Sequence, residues 1–387
     1  MNSNKTKQKA IFDFYLGGHH IEYLHHIYMY AIEDVETSYT FILPSNFSIF
    51  GKQMLWPNAE NVRFIFYELD DKYVRSLKAF EKARLLSKLL NKYAKETGIN
   101  EFFLIETMVF MPYLPFYIGR KIKITSILYS LSLFNKDVSF KGRAYSYFLY
   151  WLLAKSPCFK KICLLNSTEA VDYYNKKYQT NKFSFLPDPF VPIKCAKSPI
   201  DIREYLDIAS SKTVFIHFGG LTKRKGTLDI LDALFLVDES KLEKKCFIFA
   251  GRVIEDIRDE FYDKVERLKA KVQIVIFDKF CEYSLFAEIC TIADYIIIPY
   301  KNTAQSSGVC SYAAQFGVPV IGPHEGLLGY LIRDNEIGHT IKNINAEKIA
   351  EFVQNEEYKR VIFNHLKAEA YIKSSAPKIF FNYLVGK

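Results

Sequence analysis

Phe218-Gly219-Gly220-Leu221-Thr222-Lys223-Arg224-Lys225-Gly226 is the stretch on which the reading of the fold turns. An apolar run, Thr213 to Phe218, leads into it, and Thr227 to Val237 leaves it with helical spacing. Strand, glycine turn and helix in that order place the turn at the carboxyl end of a strand. Gly219, Gly220 and Gly226 let a backbone approach an anion closely, and a helix start offers free N–H groups and the positive end of its dipole. Lys223, Arg224 and Lys225 add cations suited to phosphate oxygens. A solvated basic turn would have the same composition.

The same grammar extends in both directions. Downstream, Cys246 to Ala250 ending at Gly251, Val272 to Phe277, Tyr295 to Pro299 and Val318 to Gly322 read as strands. Upstream, the apolar run Ala10 to Leu16 meets Gly17-Gly18-His19-His20, after which Ile21, Leu24, Tyr28 and Ala31 recur at helical spacing. Further apolar runs are Thr40 to Leu43, Val62 to Tyr67, Phe102 to Ile105, Ile122 to Leu128 and Ile162 to Leu165. Strands alternating with helices imply parallel sheets covered on both faces. Between the halves, Leu186-Pro187-Asp188-Pro189-Phe190-Val191-Pro192 is stiff and extended, because proline fixes φ and restricts the residue before it. The expectation is an α/β protein of two Rossmann-like domains facing across a cleft, with ligands outside the carboxyl ends of the strands.

A length of 387 residues fits two domains at ~100–200 residues each. Hydrophobic residues at 49% and charged residues at 25% exclude a disordered chain. The net charge of +9 favours anionic partners: a phosphorylated metabolite, a nucleotide or an anionic membrane surface. No recognised nucleic-acid module is present, so nucleic acid is not expected as a partner. The seven cysteines (158, 163, 195, 246, 281, 290 and 310) include no Cys-x-x-Cys pair and read as reduced, buried thiols of a cytoplasmic protein without a metal site. Met1 to Lys9 lacks an apolar signal core, and no run reaches the ~18 apolar residues of a membrane span.

A second turn, Gln305-Ser306-Ser307-Gly308-Val309-Cys310, runs into a helix through Ser311 and Tyr312. It presents hydroxyls and backbone N–H groups in one direction, as a phosphate contact requires, though a plain serine N-cap needs no ligand. Two such turns in one half suggest a clamp for a diphosphate.

The ordered series Gly219-Gly220-Leu221 with Lys225-Gly226, Phe249-Ala250-Gly251-Arg252, Ala293-Asp294-Tyr295 with Pro299-Tyr300, Ser307-Gly308-Val309 and Gly317-Val318-Pro319-Val320-Ile321-Gly322 resembles the C-terminal domain of GT-B glycosyltransferases. More narrowly it is similar to the retaining glycosyltransferase family 4 group, in a Gln-Ser-Ser-Gly variant. The likeness covers about residues 211–353. In the first half only the layout matches, at Gly17-Gly18, at Leu164 to Ala170 and at Leu186 to Pro189. Residues 368–384 resemble a terminal helix that crosses back onto the first domain. The implied domains are 1–190 for the acceptor, 191–370 for the nucleotide sugar, and 371–387 as that helix.

The resemblance implies roles for single positions. Lys225 matches the lysine that holds the donor diphosphate, and Arg224 or Lys223 would supply the charge that the family often places at Gly220. Ser307, Gly308 and Val309 match the turn whose amides meet the diphosphate. Phe280 lies where the base is framed, and Arg252, Gln305, Ser306 and Tyr312 fall in donor-side motifs. Gly17 and Gly18 would admit the diphosphate from the opposite wall, with His19 and His20 near the reacting sugar. Lys225, Arg224 and His19 are thus the catalytic candidates, and Glu106 is a weaker one at a strand end. Two glutamates that many members carry are replaced, the second by Tyr312 and the first near Ala304 or Gln305. The implied activity is retaining transfer of a sugar from a nucleotide diphosphate-sugar to a saccharide or polyprenol-linked acceptor, in bacterial surface polysaccharide synthesis, without cofactor or metal. A catalytically silent GT-B module that binds nucleotide or glycan, and a sugar-phosphate epimerase of the same architecture, are the alternatives.

Two stretches of the first half have an interfacial composition. Lys72 to Lys95 sets apolar residues beside many cations with Glu81 its only acid, and Tyr145 to Leu153 is aromatic and apolar, becoming basic at Lys155. Both suit either a helix covering a sheet or peripheral contact with the inner face of a membrane.

Overall fold

The computed structural model describes residues 7–17, 19–129, 131, 139–196 and 201–386. The chain forms two compact units, Met1–Pro189 with Ser375–Lys387, and Phe190–Ser374.

The first unit holds strands β1 (Lys7–Phe12), β2 (Thr37–Pro44), β3 (Val62–Tyr67), β4 (Glu101–Leu104), β5 (Lys123–Leu128), β6 (Phe159–Leu165) and β7 (Phe183–Leu186). They make one sheet in the order β3-β2-β1-β4-β5-β6-β7, with every pairing parallel. Ala10, Ile11 and Phe12 on the central strand are fully buried, because helices cover both faces of a parallel sheet. The chain order reverses between β1 and β4, so loops leaving these two strands diverge and open a crevice at their carboxyl ends.

The helix His19–Ala31 buries Tyr23, Leu24, Ile27, Tyr28 and Ala31 against this sheet, one face at three- and four-residue spacing. The last helix, Pro377–Val385, adds Phe380, Phe381, Leu384 and Val385 to the same core. Its carboxyl end is capped by strand lysines: Lys9 Nζ donates to the Val385 carbonyl at 3.2 Å, and Lys161 Nζ to that of Tyr383. The expected single terminal helix is broken in two, His365–Ser374 and Pro377–Val385, because Pro377 starts a new helix and cannot continue the old one. The first piece belongs to the second unit, the other to the first. Lys72 to Lys95 is likewise divided, into Asp71–Ser76 and Ala79–Thr97, where Glu81 accepts from the Lys78 N–H at 3.1 Å and caps the longer helix.

The second unit holds β8 (Thr213–Phe218), β9 (Lys245–Ala250), β10 (Gln273–Phe277), β11 (Tyr295–Ile297), β12 (Val320–Pro323) and β13 (Gly338–Ile341). The sheet order is β10-β9-β8-β11-β12-β13, again all parallel, and it reverses between β8 and β11. Phe215 on β8 pairs with Phe247 and Tyr295 and stacks on both rings, which fixes the register at the sheet's centre.

All seven cysteines are free thiols, but Cys195 and Cys281 are only half-buried, since both lie on loops rather than in strands or helices facing a core. Among the described residues no helix is long and apolar enough to cross a membrane.

Candidate active site

In the second unit the turns leaving the neighbouring strands β8 and β9 lie side by side. Gly219 follows β8 at φ +88°, and Gly251 follows β9 at φ +145°. A Cβ on Gly251 would meet the Gly219 carbonyl, while Gly219 has a φ that side chains disfavour and the movable Lys225 ammonium beside it. Past Gly220, which faces open space, the backbone is stitched to the next strand by Leu221 N–H donating to the Arg252 carbonyl at 2.9 Å.

Behind the basic loop lies a buried polar network. His217 Nδ1 reaches the Ile297 carbonyl at 2.8 Å, and its Nε2 reaches Thr227 Oγ1 at 3.0 Å. Thr227 Oγ1 accepts from the Thr222 N–H, and Thr222 Oγ1 accepts from the Lys225 N–H, both at 3.1 Å. The carbonyl acceptor fixes the proton on Nδ1, so Nε2 takes the Thr227 hydroxyl. Burial drives the His217 pKa down to about 4, so the ring is neutral. This network pins both ends of the Lys223–Lys225 turn.

Gly226, at φ +69°, has the Pro299 carbonyl where a Cβ would sit, and Lys301 N–H donates to the Arg224 carbonyl at 2.9 Å. The loop after β11 is thereby locked under the basic turn. Its Tyr300 ring lies 5.4 Å from Lys225 Nζ, and its hydroxyl neighbours Ser307. Tyr300 thus bridges Lys225 to the Ser-Ser-Gly turn. Lys223 and Arg224 project into solvent, whereas Lys225 is half-buried and its pKa falls to about 8, first through burial and then through the Arg224 charge. Among the described residues no carboxylate pairs with it.

Ser307 Oγ accepts from the Val309 N–H at 3.4 Å, and its carbonyl accepts from the Cys310 N–H at 3.2 Å. Gln305, Ser306 and Gly308 are half-buried beside it, at the start of the helix Val309–Phe316. One turn on, Tyr312 packs edge-on between Phe190 and Phe286 at 5.2 and 5.1 Å. Phe280 is exposed past β10, edge-on to Tyr283. Arg252 is exposed, while its neighbour Val253 donates its N–H to Asp278, which also takes Arg258 at 2.6 Å.

In the first unit the two histidines part company. His19 is exposed and 3.5 Å from Glu22, whereas His20 is buried against Asp13, with Nδ1 to Oδ2 at 2.8 Å. Gly17 holds the turn, its carbonyl accepting the His20 N–H at 3.4 Å with Tyr15 against its α-carbon, and Gly18 lies outside the described residues. Glu106, just past β4, stands 3.8 Å from His20 Nε2. Burial alone would lower the His20 pKa, but the Asp13 carboxylate overrides it and the net shift is upward. Burial raises that of Glu106. Tyr129, past β5, stacks on His20 and Tyr23 at 5.8 Å, and its buried hydroxyl has no hydrogen-bond partner among the described residues. Burial first, then the negative charges of Asp13, Asp188 and Glu106, push its pKa far up, so the hydroxyl stays protonated.

Asp13, Tyr129, Asp188, His217 and Tyr300 were not candidates from sequence. Asp13 and His217 stood within or beside apolar runs that read as strand, and their polarity against that background was the available signal.

No family model matches the chain, and no curated protein matches its sequence. Solved structures do match. WaaG, a glycosyltransferase involved in lipopolysaccharide biosynthesis, aligns with a TM-score of 0.66 at 16% identity, covering 98% of this chain and 100% of its own. HepE of Anabaena, in complex with UDP and glucose, aligns at 0.67 with 14% identity and 98% coverage of both chains. An E. coli trehalose-6-phosphate protein bound with UDP-2-fluoro glucose aligns at 0.69 with 11% identity and 98% coverage of both. Identities this low carry architecture alone, and the architecture shared with these structures by the two doubly wound units is the GT-B fold.

Proposed function

We propose that the chain is a glycosyltransferase that draws its sugar from a nucleoside diphosphate-sugar, with uridine as the nucleoside. The observation that carries this reading is the half-buried Lys225 ammonium, without a carboxylate partner among the described residues, poised beside Tyr300 and the Ser307 turn at the sheet reversal. A desolvated cation with no counter-charge calls for an anion, and the half-buried Ser-Ser-Gly turn before the helix Val309–Phe316 would share a diphosphate with it. The uridine comes from the ligands of HepE and the E. coli protein, which share the fold.

Departure of the diphosphate builds negative charge on the leaving oxygens and positive charge on the anomeric carbon. Lys225 and Arg224 would stabilise the former, from a loop held rigid by His217 and Thr227, so little reorganisation accompanies the reaction. These groups supply the charge without help from a metal or cofactor. A departing oxygen that takes the acceptor's proton gives attack from the same face, hence retention. On the first unit, His20, Glu106 and Tyr129 are the groups for binding acceptor hydroxyls, and a saccharide, free or polyprenol-linked in cell-surface polysaccharide synthesis, is the acceptor class. The free thiols suit a cytoplasmic location.

The test is a thermal-shift screen of nucleoside diphosphates followed by incubation with UDP-sugars and mass detection. UDP should stabilise the protein by mass action, a UDP-sugar should turn over slowly to free sugar, and Lys225→Ala should abolish turnover. Stabilisation without turnover of any UDP-sugar, alone or with saccharide acceptors, would refute the enzyme reading and leave a nucleotide-binding module.

A further inference from the structure

The outermost strand of the first sheet, β3, pairs with β2 alone. Its hydrogen bonds show which backbone groups face outward. The carbonyls of Asn61 and Tyr67 accept from the Tyr39 and Ser45 N–H groups on the β2 side, at 2.8 and 2.9 Å. Backbone groups alternate along a strand, so Arg63 and Ile65 turn the same way, and Phe64 and Phe66 point their N–H and C=O groups away from the sheet. Val62 also faces out, but its N–H is taken by the Ala59 carbonyl at 3.2 Å. Among the described residues no backbone bond outside the sheet uses the edge groups of Phe64 and Phe66.

Open edges are normally blunted by brevity, proline, lysine or a bulge. β3 has six residues in unbroken register, without proline or lysine, and Arg63, its one charge, is tied to Thr40 Oγ1 at 2.9 Å. The other edges differ: β7 and β13 have four residues each, and no side chain of β10 is exposed. The surface beside β3 is apolar. Phe66 is 50% exposed, its ring stacked 5.7 Å from those of Phe64 and Phe47. Ile49, Phe50 and Leu55, which follow Phe47 in the chain, are 67%, 39% and 82% exposed.

We propose that β3 pairs antiparallel with β3 of a second copy, about a twofold axis between their Ile65 residues, joining two seven-stranded sheets into one. In that register Phe64 of each copy exchanges both N–H···O bonds with Phe66 of the other, so every free group of these residues is used. A register centred on Phe64 would need the occupied Val62 N–H. The centre at Ile65 also sets Phe64 against Phe66 on one face and Arg63 against Tyr67 on the other, and no like charges oppose within the strand. The four exposed apolar residues leave on the order of 400 Å² open per copy, about 800 Å² for a pair, and the strand edge brings this near the ~1,200 Å² at which stable interfaces begin. The dimer is therefore weak and reversible, and it does not depend on the transfer reaction.

Sedimentation velocity between ~1 and ~100 μM tests it: a dimer with a dissociation constant on the order of 10 μM is expected. Phe66→Pro removes a donor that the sheet itself does not use, and Phe66→Lys puts a charge on the edge. Each should weaken the dimer on the order of a hundredfold, with the fold intact by circular dichroism. Ile65→Cys reads the register. Cysteines opposed at the axis lie within disulfide reach, so diamide should oxidise them to a cross-linked dimer beyond any formed by the wild-type thiols. Arg63→Cys, ~13 Å from its counterpart in this register, should not cross-link. A monomer at ~100 μM overturns the proposal, including one that binds vesicles or a peptide through this edge. So does a dimer that both Phe66 variants retain, or one that Arg63→Cys cross-links as readily as Ile65→Cys.

Discussion

Lys225 offers the sharpest test of the donor site, because its own charge state has to change when an anion arrives. Burial and Arg224 bring its pKa from 10.5 to about 8. At about 1.36 kcal/mol per unit, the protonated form is disfavoured by roughly 3 kcal/mol relative to water. A phosphate oxygen ~4 Å away contributes about 4 kcal/mol at an effective dielectric of ~20, enough to keep the lysine charged in the complex beyond pH 10. Free protein takes up the missing proton on binding. With a pKa of about 8, Lys225 is roughly three-quarters protonated at pH 7.5 and ~3% at pH 9.5. UDP affinity should therefore fall about 25-fold over that interval, where the nucleotide's phosphates are already fully ionised. Calorimetry in buffers of differing ionisation enthalpy should register uptake of ~0.2 proton at pH 7.5 and ~0.8 at pH 8.5. Lys225→Met should bind UDP on the order of a hundredfold more weakly at pH 7.5 and lose the pH slope. Flat wild-type affinity between pH 7.5 and 9.5, or a slope that survives in Lys225→Met, would refute the reasoning.

Three further outcomes are expected. Gly226→Ala forces a Cβ into the Pro299 carbonyl at φ +69°, and should cost about 2–4 kcal/mol in urea unfolding together with UDP binding; a cost well under 1 kcal/mol would show that the turn relaxes freely. His217 has a folded pKa of about 4 against 6.5 unfolded, so the unfolded state takes the proton first as pH falls, and stability drops by about 2–3 kcal/mol between pH 7 and 4.5. His217→Asn should remove that part of the pH dependence in parallel urea titrations. His20 titrates above 6.5 because of Asp13, so its contribution is complete below pH 6.5 and is lost as pH rises through the folded value; in Asp13→Asn burial, the largest influence, outweighs the remaining pull of Glu106, and the pKa read from its ring proton shifts in NMR should fall below 6.5.

What the sequence showed, and what it hid, follows from how parallel sheets bury their strands. Thr213–Phe218 and Val62–Tyr67 were legible to the residue as short apolar runs bounded by turn residues. The strands that escaped notice are edge strands of four residues. Gly338–Ile341 is half polar, and Phe183–Leu186 runs straight into the proline-rich segment that drew the eye. The Lys225 loop and the Ser307 turn were each legible as anion-binding turns. Their meeting was not, since it runs through Tyr300, which stood in the ordered series with Pro299 but carried no site role there. Asp13 was lost by overextending β1: the apolar run continues past it to Leu16, but the strand ends at Phe12. That places a carboxylate at the carboxyl end of the central strand, where His20 finds it.

The two units share one topology and place opposite chemistries at the same point of it. In each, the sheet order reverses beside the first strand, and the loops leaving the central pair of strands carry the charged groups. In the second unit these loops converge on an ammonium without a carboxylate partner among the described residues. In the first they bring the carboxylates of Asp13 and Glu106 to the His20 ring, at 2.8 and 3.8 Å. Sheet geometry cannot be the source of this difference, because strand direction, pairing and reversal are alike. It lies in the residues just beyond the strand ends: Gly219 and Lys225 after β8, Asp13 and Glu106 after β1 and β4. A diphosphate would be repelled by the carboxylates of the first unit and attracted by the second, whereas uncharged hydroxyls find acceptors in the first. Under the proposed transfer reaction, this difference in polarity would sort donor from acceptor before any shape complementarity is considered.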